Sequence, residues 1–431
     1  MLEGGKTAAG ASAEVVVVGC GAIGLPLAVA FASAGAAVLG LDTDPARLER
    51  LAAGDDLSGE PDLAVALQEG LAGGRIAFAA GPPPTDRSRV YVIAVPTPAA
   101  AGGGLDAEPL GQAMAAIARD AGPGALVCVR STVPIGTTRT LAAAWPGLAF
   151  AATPDRSVAG RAYREQFEIP HLVGGLDGAA GEAAEALFAR LGPVVRTADP
   201  ETAEAIKLFA NAARDATFAL ANQFALVCEA TGVDFEAVRV LGAAGFPRLS
   251  LARAGPVGGP CLSKDLELLL ASQGVVRAGV ELLAAARRLN GELPEHVARA
   301  IGVEITARGE AARAVAVLGL AFKGEPPTSD RRGAFAGALI ERLQAAHPDL
   351  EVRAWDPVSD GHAARRAALD GAAIVVLAND HPALGQGLAD ELRAGAIVFD
   401  MTGGFQPTVG FDVRRLGDGR GGGITRRPAR G

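Results

Sequence analysis

Short apolar runs alternate with longer alanine-rich or amphipathic segments along most of the chain. Residues 14–18 read Glu-Val-Val-Val-Val, and residues 37–41 form a second run of this kind. Strands that are buried on both faces of a parallel sheet have such continuous apolar sequences. Residues 23–35, between the two runs, have the length and alanine content of a helix. The pattern therefore predicts an α/β fold in which strands and helices alternate.

Two blocks of the chain show this alternation. In the first block, residues 14–198, further strand runs occur at 90–95 and 125–129. The second block, residues 301–416, contains four strand-like runs, at 314–320, 351–355, 373–378 and 397–399. We therefore expect two Rossmann-like, doubly wound parallel-sheet domains that are joined by a helical segment.

The segment between the two blocks, residues 199–300, begins with a helix start signal. Asp199 suits the N-cap, Pro200 the first helical position and Glu201 the first turn. The helical run continues to about Thr231 and carries too little charge to face water all round. Because another surface must cover it, we expect a long central helix that joins two subunits in a homodimer.

Composition changes this picture little. The chain has 431 residues and a net charge of −8, which argues against nucleic acid as a partner. No run approaches ~18 apolar residues and no apolar leader is present, so we expect a cytoplasmic protein without a membrane span. The spacing of four cysteines and five histidines predicts no metal site. The polar N-terminus, 1–13, and the Gly/Arg-rich end, 417–431, are expected to be flexible and disordered, respectively.

The first strand-to-helix turn carries a glycine fingerprint. Gly19, Gly21 and Gly24 would allow a tight turn and the close approach of a pyrophosphate to a helix N-terminus. The next strand ends at Asp42, 23 residues after Gly19, close to the spacing of an acid that binds ribose hydroxyls. Since a carboxylate there would repel a 2′-phosphate, the first block is predicted to bind NAD rather than NADP.

A second feature concerns Cys261, which lies in the glycine-containing segment 258–265 before a predicted helix. A helix N-terminus and the neighbouring Lys264 would both lower the pKa of this thiol. Together with a dinucleotide site, such a thiol suggests redox chemistry through a covalent carbon–sulfur intermediate. Lys207 and Asn211 share one face of the long helix. From the residues alone, a buried structural cysteine and a solvated surface lysine remain alternatives.

Seven motifs, in order over residues 14 to about 400, resemble those of the UDP-glucose/GDP-mannose dehydrogenase family. They are Gly19-x-Gly-x-x-Gly-Leu-Pro-Leu-Ala, Val95-Pro-Thr-Pro, Ser131-Thr-Val-Pro-x-Gly-Thr-Thr, Pro154-Asp-Arg, Ala203-Glu-Ala-Ile-Lys-Leu-x-x-Asn, Gly258-Gly-Pro-Cys-x-x-Lys-Asp and Gly319-Leu-Ala-Phe-Lys-Gly. Within the family, residues 156–175 and 323–333 look most like the UDP-N-acetylmannosamine dehydrogenase branch. The resemblance implies a nucleotide-sugar substrate and NAD as the cofactor.

The activity implied by the resemblance is a four-electron oxidation of the sugar C6 alcohol to a carboxylate. Loss of one hydride gives an aldehyde, and Cys261 would trap it as a thiohemiacetal from which a second hydride leaves. Water would then cleave the thioester. Lys207 would stabilise the oxyanions with Asn211 nearby, and Asp265 and Thr132 would hold the water.

The resemblance also implies which residues contact the ligands. For NAD these are Gly19, Gly21, Ala22, Ile23, Gly24, Asp42, Arg47, Pro96, Thr97, Ser131, Thr132, Lys264 and Arg332. For the nucleotide sugar they are Asp155, Arg156, Lys207, Asn211, Arg248, Gly258, Gly259, Phe322 and Lys323, with Arg248 reaching the site of a neighbouring subunit.

Three departures from the family pattern stand out. Asp155 occupies a position associated with thioester hydrolysis at which family members usually carry Glu, so we expect slower hydrolysis or a shifted loop. Arg130 stands where Glu is common, and the loop 252–257 lacks the usual Pro-Gly-x-Gly order. These changes leave the identity of the sugar open.

Two other functions are compatible with parts of the sequence. A two-electron 3-hydroxyacid dehydrogenase would share the N-terminal architecture but needs no cysteine. A degenerate paralogue that only binds sugar nucleotides is suggested by Asp155 and the altered loop. Five residues that are present together argue against both: Cys261, Lys207, Asn211, Lys264 and Asp265.

Overall fold

The computed structural model describes residues 13–57, 59–82, 89–100, 103–272, 274–275, 277–405 and 411–419. The chain divides into two compact units. The first consists of Met1–Ala210 and Glu267–Gly279, and the second of Asn211–Leu266 and Val280–Gly431. The chain therefore enters the second unit, returns to the first for a short segment, and then completes the second.

The first unit is built on an eight-stranded sheet. Its strands are β1 (Val15–Val18), β2 (Val38–Leu41), β3 (Ile76–Ala79), β4 (Val90–Ile93), β5 (Leu126–Val129), β6 (Ala149–Ala152), β7 (His171–Gly175) and β8 (Val194–Arg196). They lie in the order β3-β2-β1-β4-β5-β6-β7-β8. The strand order reverses between β1 and β4, and ligands of such sheets bind beyond the carboxyl ends of the strands at this point.

One strand pair corrects the prediction of a wholly parallel sheet. Neighbouring strands are parallel from β3 across to β6, and again between β7 and β8. However, β6 and β7 are antiparallel, with Ala151 opposite Gly175. The sheet is therefore mixed, because the chain turns back after β6 through a single short helix.

The helices of the first unit cover this sheet. They are α1 (Gly24–Ser33), α2 (Pro45–Ala52), α3 (Pro61–Ala72), α4 (Glu108–Ala118), α5 (Thr137–Ala144), α6 (Ala162–Glu168) and α7 (Gly178–Phe188). Nine of the ten residues of α1 are buried, as are all residues of β1 and β2. The strands predicted at 14–18, 37–41, 90–95 and 125–129 and the helix predicted at 23–35 are confirmed to within two residues at each end.

The long central helix, α8 (Pro200–Thr231), begins and ends where the sequence predicts. The Asp199 carboxylate accepts a hydrogen bond from the backbone N–H of Thr202 at 2.7 Å and so caps it. Three further helices follow, α9 (Phe235–Ala243), α10 (Asp265–Leu270) and α11 (Glu281–Arg308). The predicted boundary between residues 300 and 301 therefore lies inside α11.

The second unit contains the second predicted sheet. Its elements are β9 (Ala314–Leu318), α12 (Phe335–Ala346), β10 (Glu351–Trp355), α13 (His362–Leu369), β11 (Ile374–Leu377), α14 (Leu388–Glu391), β12 (Ile397–Asp400) and β13 (Asp412–Arg414). The five strands lie in the order β10-β9-β11-β12-β13, and every neighbouring pair is parallel. The four strands predicted in this block are confirmed, and β13 is additional.

The chain ends differ in part from the expectation of disorder. Gly417 is ordered: its N–H donates to Glu229 at 3.0 Å, and its carbonyl accepts from the N–H of Phe235 at 2.8 Å. The predicted disordered tail is therefore wrong for 417–419, while 420–431 lie outside the described residues, as do 1–12 of the predicted flexible N-terminus. None of the described helices combines the length and the hydropathy that crossing a membrane requires.

Candidate active site

The glycine turn after β1 has the geometry of a dinucleotide-binding loop. Gly19 has φ +94°, and a Cβ there would lie 2.7 Å from the carbonyl oxygen of Ala94. A Cβ on Gly24 would lie 1.8 Å from the carbonyl oxygen of Gly19, so α1 packs directly against the turn. A Cβ on Gly21 would meet none of the described atoms within 4 Å. Gly19 and Gly24 are thus fixed by packing, and Gly21 keeps the surface above the turn open to a pyrophosphate.

Asp42 lies beside this turn at the end of β2. Its carboxylate accepts hydrogen bonds from the N–H of Cys20 at 2.9 Å and of Asp44 at 3.0 Å. The Arg47 guanidinium donates to both carboxylate oxygens, at 3.1 and 3.0 Å. Two predicted NAD contacts, Asp42 and Arg47, therefore lie together at the edge where the ribose is expected.

The polar loops after β4 and β5 meet at the same carboxyl edge. The hydroxyl of Ser131 donates to the carbonyl oxygen of Val95 at 2.8 Å. Ser131 and Thr97 are buried, whereas Pro96 is exposed and Thr132 is half-buried. The structure thus brings the predicted cofactor residues of both loops to the expected position in the sheet.

Glu204 anchors α8 in the first unit and was missed in the sequence. Its carboxylate accepts hydrogen bonds from the N–H of Gly136 at 2.7 Å and from the N–H and hydroxyl of Thr138 at 2.9 and 2.6 Å. Burial raises the pKa of Glu204, and this effect is larger than the lowering of the pKa by these hydrogen bonds. Lys207 follows one helical turn later. The sequence did point to Glu204, because this residue belongs to the motif that contains Lys207. It was missed because a glutamate on a helix is usually solvated.

The carboxylate of Asp155 is buried and accepts several hydrogen bonds. The residue is 3% exposed, and Arg130 donates to one of its oxygens at 2.7 Å. Ser157 donates to the other, from its N–H at 3.1 Å and from its hydroxyl at 2.7 Å. Arg156, the next residue, donates to the carbonyl oxygen of Pro170. The two departures from the family pattern, Arg130 and Asp155, are therefore a contact pair.

Cys261 lies in the second unit at the turn that leads into α10. It is the only exposed cysteine among the four, none of which forms a disulfide. Its carbonyl oxygen accepts from the N–H of Asp265 at 3.0 Å and of Lys264 at 3.3 Å. The predicted turn and helix after Cys261 are confirmed, although the helix has only six residues.

The carboxylate of Asp265 contacts two other predicted site residues. It is 2% exposed, and one oxygen accepts from the side-chain amide of Asn211 at 2.6 Å. The other oxygen forms an ion pair with the Lys264 ammonium at 2.8 Å. The central helix and the Cys261 turn therefore meet at a buried, charged hydrogen-bond network.

The segment after β9 packs against the glycines that precede Cys261. A Cβ on Gly259, which has φ +97°, would lie 2.7 Å from the ring of Phe322. The Gly259 N–H also donates to the carbonyl oxygen of Gly333 at 3.1 Å. Only glycine allows this approach, which brings Phe322 and the neighbouring Lys323 to the Cys261 turn.

Arg332 precedes Gly333 on the same segment. Its guanidinium pairs with Asp330 at 2.6 Å. This hydrogen bond is the main cause of the raised pKa of Arg332, and the charge of Cys261 contributes in the same direction. Arg332, a predicted NAD contact, is therefore within electrostatic range of Cys261.

Two aspartates that the sequence analysis did not select shape the motif 319–324. Asp356 accepts hydrogen bonds from the N–H of Leu320 at 2.7 Å and of Ala321 at 3.0 Å. Asp380 accepts from the N–H of Gly324 at 2.7 Å. Asp380 comes three residues after the buried strand β11, a signal similar to the one that identified Asp42, whereas Asp356 follows β10, in which only Trp355 is buried.

Not every predicted residue is brought to this region. Arg248 lies in an exposed turn after α9 with its guanidinium 5.2 Å from the centre of the Phe246 ring. Lys207, Asp155 and Thr132 belong to the first unit, whereas Cys261, Asn211 and Asp265 belong to the second. Across the described parts of the chain, no group of three or more His, Cys, Asp or Glu side chains could hold a metal ion.

Two family models match the chain and cover the site residues from Gly19 to Asp265, whereas Phe322, Lys323 and Arg332 lie beyond the matched ranges. The NAD binding domain of the UDP-glucose/GDP-mannose dehydrogenase family matches residues 13–192, and the central domain of the same family matches residues 201–292. The chain belongs to the UDP-glucose/GDP-mannose dehydrogenase family. It is accordingly an NAD-dependent nucleotide-sugar dehydrogenase, an oxidoreductase.

Relatives extend the similarity over nearly the whole chain. A UDP-N-acetyl-D-mannosamine dehydrogenase of Pyrococcus horikoshii is 32% identical over 94% of this chain and 99% of its own length. An NDP-N-acetyl-D-galactosaminuronic acid dehydrogenase of Ralstonia nicotianae is 30% identical over 89% of this chain and 94% of its own. The solved UDP-N-acetyl-mannosamine dehydrogenase of Staphylococcus aureus has a TM-score of 0.82 at 26% identity and covers 94% of this chain and 98% of that chain. These similarities confirm the predicted family and fold.

Proposed function

We propose that this enzyme oxidises the C6 alcohol of a UDP-sugar to the carboxylate through a thioester on Cys261. The observation that carries the proposal is the network of Asn211, Asp265 and Lys264 directly after an exposed Cys261. A structural cysteine would be buried, and a two-electron dehydrogenase would need neither the thiol nor the carboxylate behind it. We place the activity in the cytoplasm, since none of the four cysteines forms a disulfide.

The chemistry assigns each residue a step. The first hydride passes from C6 to NAD while the hydroxyl proton leaves, and Lys207 stabilises the alkoxide. The Cys261 thiolate then adds to the aldehyde, and the second hydride passes from the thiohemiacetal to a second NAD. Water, held by Asp265 and Thr132, cleaves the thioester to carboxylate and thiol. The balance is one alcohol, two NAD⁺ and one water to one carboxylate, two NADH and three protons.

A 2-acetamido sugar is the substrate class that we propose. The Pyrococcus and Ralstonia relatives are both named after an N-acetylated hexosamine derivative. UDP-N-acetylmannosamine is therefore expected to give a higher kcat/KM than UDP-glucose. A panel of UDP- and GDP-sugars, assayed for NADH formation, tests the sugar and the base separately from the mechanism.

The stoichiometry tests the four-electron reaction. With limiting sugar, each molecule should yield two NADH, whereas Cys261→Ala should stop after at most one oxidation. Cys228→Ala, which removes a buried thiol of the same unit, is the matched control and should still yield two. One NADH per sugar from the unaltered enzyme would indicate a two-electron dehydrogenase. Binding of the sugar nucleotide without any NADH would indicate the degenerate paralogue.

We also propose that the enzyme is a homodimer built on α8. Large apolar side chains at helical spacing lie on one exposed face of this helix, with 39–55% of their surface accessible: Phe209, Leu220, Phe224 and Val227. A face of this size and spacing is usually covered by another helix. In such a dimer Arg248, which is exposed, could reach the substrate of the partner.

A further inference from the structure

The buried pair of Arg130 and Asp155 links two loops at the carboxyl edge of the first sheet. Arg130 follows β5 and directly precedes Ser131 and Thr132, which are predicted to contact the cofactor and the hydrolytic water. Asp155 follows β6 on the neighbouring strand. The two side chains are 2% and 3% exposed as residues, and their charged atoms are 2.7 Å apart.

The Arg130 guanidinium reaches three acceptors at once. Besides Asp155, it donates to the carbonyl oxygen of Thr153 at 3.1 Å and to the side-chain oxygen of Gln166 at 2.9 Å. Its guanidinium carbon also lies 5.4 Å from the centre of the Phe188 ring. Only the planar, forked guanidinium matches this set, since a lysine ammonium lacks its geometry. The Arg130 side chain therefore connects the end of β5 to the loop after β6 and to α6.

The carboxylate of Asp155 is occupied by donors. Arg130 binds one oxygen and Ser157 donates twice to the other, so three of its roughly four acceptor positions are used. Burial raises the pKa of Asp155, but the charges of Arg130 and Lys207 and the hydrogen bond from Ser157 lower it further, to below the ordinary carboxyl value. A general base works best when its pKa lies near the working pH. Asp155 therefore lacks both the free oxygen and the basicity for that role.

We propose that Arg130 is a positioning residue and that Asp155 serves as its counter-ion, holding the two loops in register rather than transferring a proton during thioester hydrolysis. This inference rests on the proposed function for its kinetic consequences but not for the pair itself. It also gives the shorter side chain at position 155 a reason. The guanidinium fills the space that a longer carboxylate would need, so the two departures from the family pattern compensate each other.

The first test uses the longer carboxylate. If Asp155 transferred a proton over too long a distance, Asp155→Glu would bring the carboxylate closer and raise the steady rate of NADH formation. A counter-ion in a packed, buried site predicts the reverse, because the added methylene must displace Arg130. We expect the Glu variant to lose about tenfold or more in kcat, since small misplacements of reacting groups have effects up to ~10²-fold. A Glu variant faster than the unaltered enzyme would overturn the proposal.

The second test is a double-mutant cycle with Arg130→Gln and Asp155→Asn. Each single variant leaves a buried charge without its partner, so both should lower the thermal unfolding midpoint and reduce kcat by ~10²-fold. The double variant, in which both charges are gone, should unfold at a higher temperature than either single variant and regain at least about tenfold in kcat. Its pH–rate profile should keep the shape of the unaltered enzyme, because no proton carrier has been lost. A double variant no better than Asp155→Asn would refute the counter-ion role.

Controls separate folding, pairing and function. The exposed pair Arg161–Glu168, 3.0 Å apart at the two ends of α6, is the matched control, and Arg161→Gln with Glu168→Gln should show no coupling. If both single variants fail to fold while the double variant folds, this difference in stability is itself sufficient support for the proposed ion pair. If none of the three folds, Arg130→Lys decides: a loss in kcat with two NADH per sugar retained supports positioning, and an unaltered kcat contradicts it. The unfolding cycle needs no substrate, so its result stands even if the proposed reaction is wrong.

Discussion

His171 at the start of β7 should make the stability of the first unit depend on pH. The residue is 2% exposed, and its Nε2 lies 2.8 Å from the carbonyl oxygen of Gln166. Burial, followed by the charge of Arg130, lowers the pKa of His171 to about 4 from an ordinary value of 6.5. The neutral imidazole therefore donates its Nε2 proton to Gln166 throughout the neutral range.

The change in the free energy of unfolding follows from the shift in the pKa of His171. Between pH 6.5 and 4 the unfolded chain binds a proton at His171 that the folded chain does not, so the free energy of unfolding falls as the pH falls. A difference of about 2.5 pKa units at 1.36 kcal/mol per unit corresponds to about 3 kcal/mol. For a unit of this size, that loss lowers the unfolding temperature by roughly 6–12 °C.

His171→Gln isolates this contribution, because the Gln amide nitrogen can replace Nε2 as the donor to Gln166 but does not titrate. The measurement is chemical unfolding of both proteins between pH 7.5 and 4, followed by a probe of the first unit. The advantage of the unaltered protein over the variant should shrink by about 3 kcal/mol on acidification. A difference between the two proteins that stays constant with pH would refute the assignment of a buried, neutral His171.

Two further predictions concern Cys261 and the proposed dimer. Arg332→Gln should slow the alkylation of Cys261 by iodoacetamide at neutral pH, by a factor on the order of five, because a nearby cation favours the thiolate. Arg331→Gln, which removes a charge bound to Ser359 instead, should leave the rate unchanged, and an equal effect of both variants would contradict a specific role of Arg332. Light scattering should give twice the chain mass of 43.3 kDa, and Phe224→Glu should shift the enzyme towards monomers, while Val303→Glu on α11 should not. A monomer at micromolar concentration before any substitution would rule out the dimer.

The parts of the fold that were predictable are those in which one physical signal dominates. β1 and β2 are continuous apolar runs because both of their faces are covered, and α8 starts at a cap whose side chain binds the backbone. β7 was not predicted as a strand, since its sequence, His-Leu-Val-Gly-Gly, is short and ends in glycines. β13 was missed because charged residues occupy two of its three positions. Short elements of this kind are stabilised by their neighbours in the sheet, which local sequence does not reveal.

The candidate site also has parts that could be predicted from the sequence and parts that could not. Residues in strand-to-helix turns, such as Gly19 and Asp42, could be placed because the turn itself dictates their types. The contact of Arg130 with Asp155 was not predicted, although both positions were noted as unusual. They are 25 residues apart in sequence, and only the adjacency of β5 and β6 brings them together. Once strand order is known, residues that directly follow neighbouring parallel strands can be paired by position.

The return of residues 267–279 to the first unit affects how the protein is made. A ribosome finishes the sheet of this unit by residue 196, but the last segment of the unit emerges only after residues 211–266 have been synthesised. At ordinary elongation rates this delay lasts on the order of 3–14 s. During that interval the backbone N–H of Ile135 lacks its native acceptor, the hydroxyl of Ser272, which lies 2.9 Å away in the finished fold. The first unit can therefore complete its native contacts only after residues 267–279 have been synthesised, and a translational pause after residue 279 would allow it to do so before the second sheet is made.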